Sequence, residues 1–171
     1  MHILLAASVL ITTSLGNITV KLDEKKAPVS VANFLKYVND KHYDGTVFHR
    51  VIKNFMIQGG GMDPALHEIG ATYPPIKNES GNGLKNVTGA IAMARTNDPD
   101  SATDQFYINT KDNAFLDRSP GYAVFGKVTR GMDVVRKIEA VKTQTKPNAE
   151  GLPMADVPSE TVLIKSIRVV K

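Results

Sequence analysis

The chain has 171 residues, 42% hydrophobic and 22% charged, a length and balance that suit one globular domain and exclude a disordered or fibrous chain. It has no cysteine, which excludes disulfides, thiolate nucleophiles and cysteine-ligated zinc while leaving the redox compartment open. Lysine and arginine (21) exceed aspartate and glutamate (17), giving +4, but the basic residues are scattered and no tryptophan stands among them, so nucleic acid is not an expected partner.

In chain order, the apolar stretch over residues 3–11 is about half the length that spans a bilayer, and no basic residue precedes it as in a signal peptide, so no membrane association is expected. Two readings of it stand: the remnant of a truncated signal peptide, or an arm over residues 1–7 that leads into a first buried strand, the second being favoured for its later part. The domain proper is placed at residues 8–171. Residues 9–14 and 18–22 are rich in β-branched side chains and joined by Leu15, Gly16 and Asn17, which predicts an opening hairpin. From Pro28 the period changes, with Val31, Phe34, Leu35 and Val38 at the i, i+3, i+4, i+7 spacing of an amphipathic helix behind a starting proline.

Residues 46–58 read as strand, turn and strand, with the break at Lys53 and Asn54, and Gly59, Gly60 and Gly61 end the second strand. From Gly59 to Gly89 lie seven of the 13 glycines together with Pro64, Pro74 and Pro75, so no regular structure is expected to run through this stretch. Short strands follow at residues 89–94, 105–110 and 123–128, and residues 132–140 have helical spacing at Val134, Val135 and Ile138. A last strand is expected at residues 161–170, after a loop containing proline and glycine. Many short strands with two helices predict a mainly β fold closed into an antiparallel barrel, because closure removes exposed sheet edges.

The sharpest local signal is Phe48-His-Arg-Val-Ile-Lys-Asn-Phe-Met-Ile-Gln-Gly-Gly-Gly61. An arginine in a strand is ordinarily a surface charge, and Phe55 and Met56 taken singly are ordinary core residues. Here a tight turn brings Arg50 together with Phe55, Met56 and Gln58, so one hairpin gathers a cation, two apolar groups and an amide. Other chemistries lack their residues. His2, His42, His49 and His67 have no metal-ligand spacing, the glycine triplet is not followed by the lysine and serine or threonine of a phosphate loop, and no Gly-x-Ser-x-Gly elbow is present. Neither a metal nor a cofactor is expected.

Gly89-Ala-Ile-Ala-Met-Ala-Arg95, Ser101-Ala-Thr-Asp-Gln-Phe-Tyr-Ile-Asn109, Phe115-Leu-Asp117 and Tyr122-Ala-Val-Phe-Gly-Lys127 follow that block. With these motifs in this order and spacing, the chain from about residue 9 to 170 resembles the cyclophilin family. Ala27-Pro-Val-Ser-Val and Pro75-Ile-Lys-Asn-Glu79 look closest to the bacterial single-domain peptidyl-prolyl isomerases. The resemblance implies a closed eight-stranded antiparallel barrel capped by two α-helices, and catalysis of rotation about Xaa-Pro peptide bonds in support of protein folding. It implies Arg50 as the catalytic group positioned by Gln58, and a proline pocket of Phe55, Met56, Tyr107 and Leu116 with Tyr122 at its rim. Gln105 and the main chain at Arg95 would hold the substrate backbone, and Ala94 and His49 would line or support the groove.

Phe115 stands where the best-known eukaryotic members carry a tryptophan that contributes to cyclosporin binding, so weakened cyclosporin affinity is expected. Tyr122 replaces a groove histidine and Tyr107 adds a hydroxyl where phenylalanine is usual; isomerase activity is expected to survive all three changes. The implied partners are proline-containing peptides and unfolded or folding proteins, bound by a monomer. Likeness to exported bacterial members favours the periplasm, with the cytoplasm as alternative. A rival class is a module that captures proline-containing segments without turnover, since the same pocket serves both.

Overall fold

In the computed structural model, which describes residues 6–171, the elements in chain order are β1 (Ser8–Thr13), β2 (Gly16–Leu22), α1 (Pro28–Asn39), β3 (Thr46–Val47), β4 (Arg50–Ile52), β5 (Met56–Gly59), β6 (Ala90–Met93) and β7 (Phe106–Asn109). A 3-10 turn (Ala114–Asp117), β8 (Val124–Arg130), α2 (Met132–Glu139), β9 (Thr143–Pro147), β10 (Pro153–Pro158) and β11 (Leu163–Val170) complete it. Of the arm expected over residues 1–7, residues 1–5 lie outside the described residues; the Ala7 carbonyl already accepts the Leu22 N–H at 2.8 Å. Among the described residues no helix is long and apolar enough to cross a membrane.

Among the described residues nine strands form one antiparallel sheet in the order β3-β11-β1-β2-β8-β6-β7-β5-β4. Its two edge strands, β3 and β4, are consecutive pieces of a single run interrupted at Phe48 and His49, so the sheet curls until its edges meet in one chain segment. The expected closed eight-stranded barrel is corrected to this extent: the ladder has nine strands and is broken where the run changes partner. β3 pairs with β11 and β4 with β5, while between them Val47 gives its N–H to the Met62 carbonyl (3.0 Å) and accepts the Gly60 N–H (3.4 Å). Residues 60–62 thus take the backbone groups that a continuous strand would use.

The inward side chains of the sheet meet both helices in one core. Phe34 of α1 lies edge-on to Phe106 at 5.7 Å and 5.1 Å from Phe125, and Val134, Val135 and Ile138 of α2 join the same cluster with Ile11, Ile18, Val51, Ile57 and Ile91. Aromatic pairs at these separations add to the burial of their surfaces. Helix α1 has alanine at its N-cap, which offers no side-chain acceptor. The Glu79 carboxylate supplies one from the long loop, accepting the N–H groups of Val29 (3.2 Å) and Ser30 (2.6 Å).

Two expectations change in detail. The opening hairpin turns on Ser14 and Leu15 alone, because Gly16 and Asn17 already pair with Thr13 and Thr12 in the ladder. Gly16 sits at φ +134° with Val134 of α2 close against it, so no side chain fits there. The loop expected before β11 instead carries an antiparallel ribbon, β9 with β10, joined by pairs such as Val157 opposite Gln144 and interrupted by an irregularity between Met154 and Val157. Residues 60–89 form no strand or helix, only isolated bridges at Met62–Glu68 and Ile76–Ala102, as their glycine and proline content implies.

Candidate active site

Alternation along β4, β5, β7 and β6 sends Val51, Ile57, Phe106, Ile108 and Ile91 into the core, so the residues between them share the outer face. Register then aligns a row across four strands: Arg50 stands opposite Gln58, Gln58 opposite Tyr107, and Tyr107 opposite Ala92. The hairpin legible in the sequence is one end of this row. Its turn is set by Asn54 at φ +59°, whose N–H is held at 3.0 Å by the Glu139 carboxylate of α2.

At the polar end of the row, Arg50 is exposed, and its Nη1 donates to Gln58 Oε1 at 3.2 Å. Gln58 Nε2 donates in turn to Gln105 Oε1 at 3.1 Å, which leaves the Gln105 amide N–H groups for a further acceptor. Among the described residues Arg50 has no carboxylate partner, so its charge is held by a neutral amide and not cancelled. A Cβ on Gly61 would overlap the Gln105 side chain, so the bare backbone there makes room for that amide.

Beside the cation lies a second apolar cluster, separate from the core. Met56, Ala90, Ala92, Tyr107, Leu116 and Val124 are buried in it, with Ile52, Phe55, Leu84, Ala94 and Tyr122 packed against them. Phe55 stacks on Phe115 at 5.7 Å; Phe115 itself is 52% exposed and forms an outer wall. Tyr122 meets Tyr107 edge-on at 6.1 Å, and its N–H binds the Leu116 carbonyl at 3.0 Å. The Arg95 guanidinium lies over the Tyr122 ring at 4.1 Å and donates to the carbonyls of Thr96 (2.8 Å), Pro120 (2.9 Å) and Gly121 (3.1 Å). Its side chain is thereby committed to the protein, which leaves only its main chain for a bound molecule. Ala94, next to it, gives its N–H to the Gln105 carbonyl at 3.0 Å.

The expected residues Arg50, Gln58, Gln105, Phe55, Met56, Tyr107, Ala94, Arg95, Phe115, Leu116 and Tyr122 therefore fall around one face. His49 stands apart. It is buried, its Nδ1 has no hydrogen-bond partner among the described residues, and burial together with the neighbouring Arg50 charge lowers its pKa to about 4 against a weaker opposing pull from Asp104. It lines a different hollow of about 290 Å³, between residues 64–66 and the β9–β10 ribbon, which contains none of the other expected residues. That hollow lacks the cation and its relay. Ile52 and Ala92 share the outer face and escape notice in the sequence, although counting by twos from Arg50 and Ala94 reaches them. Leu84 sits in the aperiodic loop, where no such count applies.

The arrangement offers an apolar surface, a guanidinium beside it that pairs with no carboxylate among the described residues, and amide donors beyond. It contains no nucleophile paired with a base, and among the described residues no three of His, Asp and Glu gather as a metal site would require. Such a surface can hold a small apolar ring and place N–H donors beside it.

Comparison with known proteins identifies the group. The family model described as cyclophilin type peptidyl-prolyl cis-trans isomerase/CLD matches residues 8–169. Peptidyl-prolyl cis-trans isomerase A of Dickeya dadantii is 54% identical over 166 residues, covering 95% of this chain and 84% of that protein. Peptidyl-prolyl cis-trans isomerase B of Escherichia coli is 50% identical over 163 residues, covering 92% and 96%. A cyclophilin type isomerase of Cryptosporidium parvum, solved in the presence of the dipeptide Ala-Pro, superposes with a TM-score of 0.82 at 25% identity, covering 96% of this chain and 99% of its own. A match over nearly the whole length, joined to a curled antiparallel sheet with two helices, assigns the chain to the cyclophilin-type peptidyl-prolyl cis-trans isomerases.

Proposed function

We propose that the isomerisation of Xaa-Pro bonds, the activity of this family, is carried in this chain by Arg50 acting on a proline ring seated against Phe55, Met56, Tyr107 and Leu116. The observation that carries this reading is the exposed Arg50 guanidinium, bound to the Gln58 amide at 3.2 Å without a carboxylate partner among the described residues and set beside an apolar cluster on the outer face of the sheet. The ligand is a proline-containing segment of a peptide or an unfolded protein, for which an Ala-Pro unit is the smallest model.

The prolyl bond resists rotation because its nitrogen shares a lone pair with the carbonyl, a barrier of about 18–20 kcal/mol. Twisting the bond returns that lone pair to a pyramidal nitrogen. A guanidinium N–H aimed at the nitrogen then binds the twisted state better than the planar one, which is the condition for acceleration. A hundred-thousand-fold acceleration requires about 7 kcal/mol of such stabilisation. The apolar walls hold the ring and exclude water, while Gln105 and the main chain at Arg95 fix the flanking backbone, so the carbonyl side rotates against a stationary ring. No bond is broken and no group titrates in the step.

Phe115, set against Phe55, offers less surface than a tryptophan, which supports weak cyclosporin binding. Periplasmic residence of a monomer completes the proposal. The test replaces Arg50 with alanine and measures binding and exchange of an Ala-Pro peptide separately by NMR. Affinity within about threefold of wild type with exchange reduced about a hundredfold or more is expected. Unchanged exchange would remove Arg50 from the role, and loss of binding with exchange in proportion would favour a capture module.

A further inference from the structure

The walls of the proposed pocket come from four segments, the turn at Phe55, β7 with Tyr107, the 3-10 turn with Leu116 and the rim at Tyr122, of which the β5–β7 ladder ties together only the first two. One residue links them: its side chain bonds three of the segments, and its main-chain carbonyl reaches the turn at Phe55 through Asn113. Asn86 lies in the aperiodic loop, is fully buried, and uses every hydrogen-bonding group it has. Its Oδ1 accepts the Tyr107 hydroxyl at 2.7 Å and Asn109 Nδ2 at 3.0 Å. Its Nδ2 donates to Asp117 Oδ1 at 2.9 Å and to the Tyr122 carbonyl at 3.3 Å. Its main-chain N–H also donates to Asp117 Oδ1 (2.9 Å), and its carbonyl accepts the Asn113 N–H (2.8 Å). Asn113 extends the chain of bonds, donating from Nδ2 to Asn109 Oδ1 (2.8 Å) and to the Phe55 carbonyl (2.9 Å).

The direction of the amide is dictated by its neighbours. A reversed Asn86 would aim N–H groups at two donors and its oxygen at a carboxylate, so only one orientation satisfies the network. The Tyr107 hydroxyl is a permanent donor, since burial raises its pKa far above the phenol value. The titratable and charged groups around that hydroxyl are Tyr122, Asp117 and Arg95, of which Asp117 bonds the Asn86 side chain through its carboxylate and Tyr122 through its main-chain carbonyl. A buried network with every member satisfied is rigid, whereas one broken link leaves several groups unpaired.

We infer that Asn86 is the positioning residue of the proline pocket: it touches no substrate, and it holds wall, floor and rim in the one arrangement that keeps the ring stationary while the carbonyl turns. This rests on the site proposed above. Catalysis by fixation tolerates little displacement, and about 1 Å of misplacement can cost a hundredfold in rate. The pocket is therefore expected to fail kinetically when this link is loosened in a protein that remains folded.

The test uses Asp117, which is only partly buried and whose replacement spares the core. Asp117→Ala removes the acceptor of both Asn86 donors, and Asp117→Asn keeps an oxygen there. In Ala-Pro exchange measured per folded molecule, kcat/KM is expected to fall about tenfold for Asp117→Ala and to stay within about twofold of wild type for Asp117→Asn. Asn86→Asp adds a second readout. Ionised, the new carboxylate confronts Asp117; protonated, its O–H donates as the amide did. Its kcat/KM relative to wild type at the same pH is expected to rise about tenfold from pH 8 to pH 5.

A merely structural role would change the folded fraction and leave kcat/KM per folded molecule alone. Equal activity of the two Asp117 variants overturns the inference, as does a pH-independent ratio for a folded Asn86→Asp; if that protein does not fold, the Asp117 pair decides. Arg50→Ala separates the two levels. Wild-type exchange by it would mean the site itself is misplaced, whereas its inactivity beside a fully active Asp117→Ala would refute the role of Asn86 alone.

Discussion

Acidification from pH 7 to pH 4 should cost this protein about 3 kcal/mol of stability through one imidazole. His49 is 5% exposed, with an Nδ1 that no group among the described residues satisfies, and burial followed by the adjacent Arg50 charge lowers its pKa to about 4. In the unfolded chain a histidine titrates near 6.5. Above that pH both states are neutral and stability is complete. As pH falls from about 6.5 to about 4 the unfolded chain binds a proton that the folded one refuses, so stability declines through that window and levels off below it. The gap between the two pKa values, at about 1.4 kcal/mol per pH unit, is worth about 3 kcal/mol at most. The carboxylates whose pKa values are lowered, Asp44, Asp63, Asp112 and Glu139, lose their contribution only below about pH 4.5, outside most of the window. Urea unfolding at pH 7.5, 6.5, 5.5 and 4.5 on wild type and His49→Leu measures the effect. Wild type should lose stability stepwise while the variant stays nearly level, and a parallel decline of both would refute the argument.

Three further outcomes follow from contacts that support the site. Glu139→Ala frees the Asn54 N–H and the Arg136 guanidinium, which the carboxylate holds at 3.0 Å and 2.8 Å in a buried position. It should destabilise by about 2–3 kcal/mol in chemical denaturation, and a change under about 0.5 kcal/mol would count against it. Gly61→Ala displaces Gln105 and breaks its bond to Gln58; kcat/KM should drop about tenfold with the melting temperature shifted by no more than about 4 °C, and unchanged kinetics would exclude Gln105 from the substrate contact. Glu79→Ala removes the carboxylate at the start of α1 and should cost about 1–2 kcal/mol in thermal unfolding, with Glu79→Gln in between; equal stability of all three proteins would show that the cap contributes nothing.

Local pattern accounts for much of this molecule. Alternation by twos decides that Arg50 and Gln58 share a face and that Val51 and Ile57 do not, and the i, i+3, i+4, i+7 spacing after Pro28 decides α1, because both are consequences of backbone geometry within a few residues. The motif series, read as a resemblance, extends that local pattern to the whole family. The β9–β10 ribbon is different: Thr143–Pro147 and Pro153–Pro158 have prolines and an irregular register instead of a clean period, so only packing makes strands of them. The break at Phe48 and His49 is likewise imposed by residues 60–62, which take Val47's backbone groups from outside the run.

The supports of the site lie further still from any local signal. Glu79 caps a helix 50 residues earlier, Glu139 steadies a turn 85 residues away, and Asn86 binds Tyr107, 21 residues on. An asparagine or glutamate in a loop has the same local appearance whether solvated or buried, since its partner is chosen by the path of the whole chain. The amino-acid order by itself thus determines the periodic strands, the two helices and the hairpin that presents the cation, but not the β9–β10 ribbon. Folding in three dimensions alone decides which buried polar groups hold that hairpin and its pocket in place, because hydrogen bonds depend on distance in space and not along the chain.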